Sequence, residues 1–202
     1  MKIKICGLTQ RREAQYMNKN RVDYCGFVLF YPKSKRNITI FKAQEIMEAL
    51  HPDIKKAAVV VSPTVEEALA ICQLGFDIIQ IHGNLSEEVY DAITIDIWRA
   101  FNVKNMDEYE AVKNKDKIKG FVFDSSDPGS GIAFDHMLLD TIDRVEGKLF
   151  ILAGGLNADN VKEAIDMVGP DVVDVSSGVE FVDKLGKEPG KVDEFVGAVY
   201  KF

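Results

Sequence analysis

Lys4-Ile5-Cys6-Gly7-Leu8-Thr9 begins as an apolar strand, places a thiol at the strand's end, turns at a glycine and reaches a threonine able to cap a helix. A reactive side chain at the end of a strand, just before a helix, is how α/β enzymes present chemistry. A lone cysteine also has a plainer reading, as a small core residue. Which of the two applies to Cys6 depends on what the rest of the chain builds around it.

The same unit recurs. Strands are expected at Ile3–Cys6, Tyr24–Leu29, Lys56–Val61, Ile78–Ile81, Ile95–Ala100, Gly120–Asp124, Leu149–Leu152 and Val172–Val175. These runs are rich in Val, Ile and Phe and are bounded by Gly, Asp, Ser or Pro. Amphipathic helices are expected at Arg11–Asn18, Phe41–Leu50, Val65–Leu74, Glu87–Ala92, Met106–Asn114, Asp135–Arg144, Ala158–Met167 and Gly190–Tyr200. Thr64 reads as an N-cap, with Glu66 and Glu67 in the first turn behind it, and Ser86 and Asn157 can cap in the same way.

Eight strands alternating strictly with eight helices require a parallel sheet under helical cover. An open doubly wound sheet and a closed barrel both satisfy that alternation. A dinucleotide-binding open sheet needs GxGxxG after its first strand, and Cys6-Gly7-Leu8-Thr9 is not that. No linker or shift in composition divides residues 1–202. The sequence therefore predicts one α/β domain, a single (βα)8 barrel of the TIM type, at about 25 residues per unit.

Composition narrows the function classes. The 25 Lys and Arg against 32 Asp and Glu give a net charge of −7, which argues against general nucleic-acid binding. Cys6, Cys25 and Cys72 are odd in number and far apart, so neither a disulfide framework nor a zinc site is expected, and a reducing cytoplasmic setting fits. The N-terminus is too short and too charged for a signal peptide, and runs such as 57–61 fall far short of a membrane span.

In a parallel barrel, chemistry sits at the C-terminal strand ends. Those ends carry Cys6 after the first strand, Lys33-Ser34-Lys35-Arg36 after the second, His82 after the fourth and Asp124 after the sixth. Gly154 and Gly155 follow the seventh strand, and Ser176, Ser177 and Gly178 follow the eighth. Glycine lets backbone N–H groups approach an anion closely, so the loops after the seventh and eighth strands predict a phosphate site, with Gly129-Ser130-Gly131 as a third wall. The plainer reading is that each glycine only serves a turn.

Lys4–Thr9, Gly26-Phe27-Val28 with Tyr31–Arg36, Gln80–Gly83, Leu152–Leu156 and Val173–Glu180 together resemble the signature segments of the phosphoribosylanthranilate isomerase family, in the right order from residue 4 to about residue 180. The resemblance implies a cofactor-free, metal-free enzyme of tryptophan biosynthesis. Its reaction is the Amadori rearrangement of N-(5′-phosphoribosyl)anthranilate to 1-(2-carboxyphenylamino)-1-deoxyribulose 5-phosphate. It further implies Cys6 as general base, Asp124 as general acid and Arg36 against the anthranilate carboxylate. The loops after strands six to eight would hold the phosphate, and His82 and Asp174 would line the substrate site. The expected partner is a phosphorylated sugar–anthranilate, with no nucleic acid and no membrane, and a monomer or homodimer is expected.

Around the ring, strands seven and eight separate Asp124 from Cys6, and Arg36 is expected beside Cys6, away from the phosphate. Cys6 precedes a helix start and shares a strand face with Lys4, so a lowered thiol pKa is expected, with the Lys4 field shared with Asp174. Asp124 requires the opposite shift to act as an acid. Plainer readings remain: Asp124 as a turn cap, Arg36 as one charge of a solvated run, and His82 as a buried, hydrogen-bonded ring with no proton-transfer role.

Three features depart from the family pattern: Asp127–Gly131 in place of a glycine pair before the serine, His136 where tryptophan is usual, and a longer turn over Phe181–Pro189. Other sugar-phosphate isomerases or epimerases share the phosphate loops. A metal-dependent epimerase, however, needs more strand-end histidines than His82. A dual-purpose relative would carry aspartate at position 6. A non-catalytic sugar-phosphate sensor would need neither Cys6 nor Asp124.

Overall fold

The computed structural model describes residues 1–102, 106, 108–124 and 142–200. Eight parallel strands close into a barrel in sequence order: β1 (Lys2–Cys6), β2 (Tyr24–Val28), β3 (Lys55–Val61), β4 (Ile78–His82), β5 (Asp96–Asn102), β6 (Ile118–Asp124), β7 (Leu149–Ala153) and β8 (Val172–Val175). Seven α-helices lie among the described residues: α1 (Glu13–Asn20), α2 (Ile40–Met47), α3 (Val65–Gln73), α4 (Glu87–Ala92), α5 (Tyr109–Val112), α6 (Val161–Val168) and α7 (Pro189–Tyr200). A 3-10 turn, Ser177–Val179, follows β8.

Side chains alternate between two cores, as a pleated strand dictates. Outward positions such as Ile3, Ile5, Phe27, Ile79, Phe123 and Val173 pack against the helices. Inward positions Tyr24, Ile78, Trp98, Val122, Ile151 and Val172 fill the lower barrel, and Tyr24 meets Trp98 edge-on at 4.8 Å. Gly120 pairs with Trp98 across β5 and β6, and a Cβ there would stand 3.0 Å from the indole, so the glycine makes room for the ring.

Above this layer the interior turns polar. Lys4 on β1 and Asp174 on β8 are paired in register, and Lys4 Nζ donates to Asp174 Oδ2 at 2.7 Å with both side chains buried. Burial alone would lower the Lys4 pKa, but Asp174 and the Cys6 sulfur beside it hold it above its ordinary value.

Helix boundaries follow local chemistry where caps are present. Thr64 and Glu67 form a reciprocal capping box, and Ser86 accepts from Val89 N–H. Asn157 caps the turn before α6, its side chain accepting from Asp159 and Asn160 N–H.

Two expected helices differ. The fifth is only Tyr109–Val112, and Ile142–Arg144, the end of the expected sixth, are not helical. The rest of that segment lies outside the described residues, as do Gly129, Ser130, Gly131 and His136.

A buried charge without its partner is costly, whereas an apolar pair in the same place is not. Lys4→Met alone is expected to lower the unfolding free energy by about 3 kcal/mol. Lys4→Met with Asp174→Leu should recover most of that loss in urea titrations.

Candidate active site

Cys6, at the end of β1, is 9% exposed and points into the barrel mouth beside Lys4. Gly26 on β2 makes the space for both: a Cβ there would lie 2.8 Å from Cys6 Sγ and 3.1 Å from Lys4 Nζ. Burial pushes the Cys6 thiol above its ordinary pKa; Lys4 and Lys187 pull it down, and Asp174 adds to the rise. The expected lowering is therefore corrected: the ammonium is adjacent, but loss of solvation outweighs it.

The helix after Cys6 also starts later than expected, for a local reason. Thr9 does not cap α1, which starts only at Glu13. Instead the buried Glu13 carboxylate reaches back to accept from Thr9 N–H at 2.6 Å and Gln10 N–H at 2.9 Å, and Thr9 Oγ1 has no partner among the described residues.

Asp124 is half-buried at the end of β6, in register with Asn102 and Ala153. His82 ends β4 on the same rim, and Gln80 Nε2 lies 3.0 Å from its Nε2. Burial drives the His82 pKa down to about 4 against the pull of Asp124, so the ring is neutral at physiological pH. Outside the barrel, Arg99 donates to the carbonyls of Ile81 and Gly83 at 2.8 and 2.9 Å, clamping the backbone on both sides of His82.

The two glycine loops meet. Gly154 and Gly155 adopt φ of 97° and 62°, in the left-handed region that favours glycine. A Cβ on Gly178 would run into the Leu156 carbonyl oxygen, so the loop after β8 packs backbone-to-backbone on the loop after β7. Among the described residues, no loop hydrogen bond is donated by the N–H of Gly155, Ser177 or Gly178. Ser176 Oγ donates to the Cys6 carbonyl at 3.0 Å, tying the end of β8 to that of β1.

Arg36 departs from its expected position. Its stem crosses Gly7, whose φ is +81° and whose absent Cβ would lie 2.5 Å from Arg36 Cδ. It then reaches the segment after β8, where Nε and Nη2 donate to the two oxygens of Glu180 at 2.5 and 3.1 Å. Arg36 is thus beside Cys6 but not remote from the β8 loop.

Glu180 also receives Lys35 at 3.0 Å and the fully buried Lys187 at 3.0 Å. Burial opposes its charge, but Arg36, Lys187 and Lys35 prevail and hold its pKa at about 2. Lys187 went unrecognised in the sequence because Phe181–Pro189 reads only as a longer turn. The one available signal was its position seven residues after the Glu180 of the Val173–Glu180 segment.

Among the described residues, no cluster of three or more His, Cys, Asp or Glu side chains is arranged to hold a metal ion, and no helix is long and apolar enough to cross a membrane.

A closed parallel barrel with titratable groups on its rim and two interlocked glycine loops defines a (βα)8 barrel with its candidate site at the C-terminal strand ends. The family model of N-(5′-phosphoribosyl)anthranilate isomerase matches residues 3–198. The isomerase of that name from Thermoanaerobacter pseudethanolicus is 39% identical over 186 residues, 89% of each chain. Monomers generated from the dimeric Thermotoga maritima phosphoribosylanthranilate isomerase superpose with a TM-score of 0.82 at 32% identity, covering both chains fully. A phosphoribosylanthranilate isomerase in complex with reduced 1-(o-carboxyphenylamino)-1-deoxyribulose 5-phosphate superposes at 0.80 with 30% identity, again over all of both chains. The chain belongs to the N-(5′-phosphoribosyl)anthranilate isomerase family of tryptophan biosynthesis.

Two expectations follow from the geometry. His82 stays neutral in the fold down to about pH 4, whereas an unfolded imidazole protonates near 6.5. Stability from this residue is complete above pH 6.5 and is lost as pH falls toward 4, by about 3 kcal/mol in all. His82→Asn should flatten the stability–pH curve across that window. Gly178→Ala should force the two glycine loops apart, costing about 1–3 kcal/mol in urea unfolding and raising KM for the phosphorylated substrate.

Proposed function

We propose that the chain isomerises N-(5′-phosphoribosyl)anthranilate with Cys6 as general base and Asp124 as general acid. The observation that carries this reading is their placement: they end β1 and β6, and the interlocked loops of β7 and β8 lie on the rim between them. Asp124 protonates the furanose oxygen, and the C1′–O bond opens as the anthranilate nitrogen lone pair forms the iminium. The Cys6 thiolate then takes the proton from C2′, and those electrons neutralise the iminium to an enolamine, which tautomerises to the ketone. The positive charge of the iminium, formed next to Sγ, favours the thiolate at the moment it is needed.

The phosphate is held by backbone N–H groups of Gly155, Ser177 and Gly178, with Gly154 shaping the loop; Gly129, Ser130 and Gly131, expected to contribute as well, lie outside the described residues. Arg36 uses two of its five N–H groups on Glu180 and has others to offer the anthranilate carboxylate. Neutral His82 shapes the wall beside Asp124, and Asp174 keeps Lys4 charged and in place under Cys6. No cofactor enters this scheme.

Residues 1–202 act as one domain, as monomer or homodimer; the Thermotoga relative is named as a dimer from which monomers were made. Three free cysteines fit a reducing cytoplasmic setting.

The test follows loss of anthranilate fluorescence from freshly made phosphoribosylanthranilate. Cys6→Ala and Asp124→Asn should each lower kcat by about 100-fold or more. Because burial raises the thiol pKa, wild-type kcat/KM should climb as pH rises from 7 to 9. A flat profile, or full turnover by either variant, would count against the assignment.

A further inference from the structure

We infer that the buried Lys187–Glu180 ion pair is a positioning device that aims Arg36 at the carboxylate on the substrate's aromatic ring; this rests on the reading of Arg36 given above. Lys187 lies in a segment that the mechanism leaves unused. Phe181 N–H donates to Gly186 O at 3.1 Å and Glu188 N–H to Val179 O at 2.8 Å, folding the segment back on itself. Glu13 Oε1 accepts from Lys187 N–H at 2.6 Å, docking the fold-back onto the loop after β1.

From there the Lys187 side chain runs inward with no exposure, and its ammonium donates to Ser176 O at 3.1 Å and Glu180 Oε1 at 3.0 Å. A solvated turn has no need of a buried ammonium, and apolar residues in place of such a pair are often as stable or more so. What the pair supplies is direction.

Of the three cations on Glu180, Lys35 is 64% exposed and Arg36 23%, whereas Lys187 is fully enclosed and anchors the carboxylate from the protein side. Glu180 in turn grips Arg36 through two parallel bonds, which fix the guanidinium plane. With its stem confined over Gly7, Arg36 presents Nη1, and the remaining hydrogen of Nη2, in one fixed orientation. That edge suits a second carboxylate, and the fork geometry makes it selective for one.

The experiment measures calorimetric affinity for two probes. One is reduced 1-(o-carboxyphenylamino)-1-deoxyribulose 5-phosphate, and the other is its counterpart without the ring carboxylate. Arg36→Met, Glu180→Gln and Lys187→Met should each weaken the first by about tenfold or more. Each should leave the second within about twofold of wild type, a selectivity that general loosening of the fold would not produce.

If Arg36→Met weakens both probes equally, the role of Arg36 fails and the proposal with it. If Arg36→Met discriminates while Glu180→Gln and Lys187→Met bind both probes as wild type does, or weaken both alike, the positioning role fails and that of Arg36 stands. Should Lys187→Met not fold, the nearly isosteric Glu180→Gln decides alone.

Discussion

Closing eight parallel strands brings the last beside the first, and the Lys4–Asp174 pair lies across that seam. Its two residues are direct register partners, so the ion pair forms only if β1 and β8 align as they do. A one-residue slip would turn Lys4 toward the helix layer and Ile3 or Ile5 toward the interior. Two residues further along the chain from each stand Cys6, at the end of β1, and Ser176, just past the end of β8, joined by the Ser176 hydroxyl and the Cys6 carbonyl. The register that satisfies a buried charge therefore also sets the height of the thiol in the mouth.

Above the seam the charges are unevenly arranged. Lys35, Arg36 and Lys187 converge on the single carboxylate of Glu180, leaving a positive excess at a rim whose glycine loops present N–H groups. A ligand bearing a phosphate at one end and a carboxylate at the other is the complement of that field. The same rim disfavours a thiolate by burial and supports it by adjacent ammonium groups, and burial prevails in the protein alone.

The strands were legible because each must fill both an interior and a helix-facing layer, which leaves nearly continuous runs of Val, Ile, Ala and Phe. Their ends were legible for the same reason, since polar residues collect where the barrel opens. Helix starts were read less well. Thr9 has the chemistry of a cap, but Glu13 satisfies the free N–H groups from inside the helix, and α1 begins four residues later. Arg36 was placed by strand order, whereas Glu180 draws it across Gly7 toward β8. Lys187 was not read at all: nothing in Gly186-Lys187-Glu188 announces a buried ammonium, because its partners come from Glu180 and Ser176.

The order of the βα units, the apolar strand bodies and the polar strand ends are local properties of the chain, written in periods of two and three to four residues. These the sequence determined by itself, and with them the barrel and the position of Cys6 at its mouth. The protonation state of that thiol, the aim of Arg36 and the burial of Lys187 depend on contacts such as Lys4–Asp174, Arg36–Glu180 and Lys187–Glu13, which are 170, 144 and 174 positions apart, and on how much water remains around them. Coulomb energy follows from those distances and desolvation from the water that folding removes. Only the closed barrel brings them within reach.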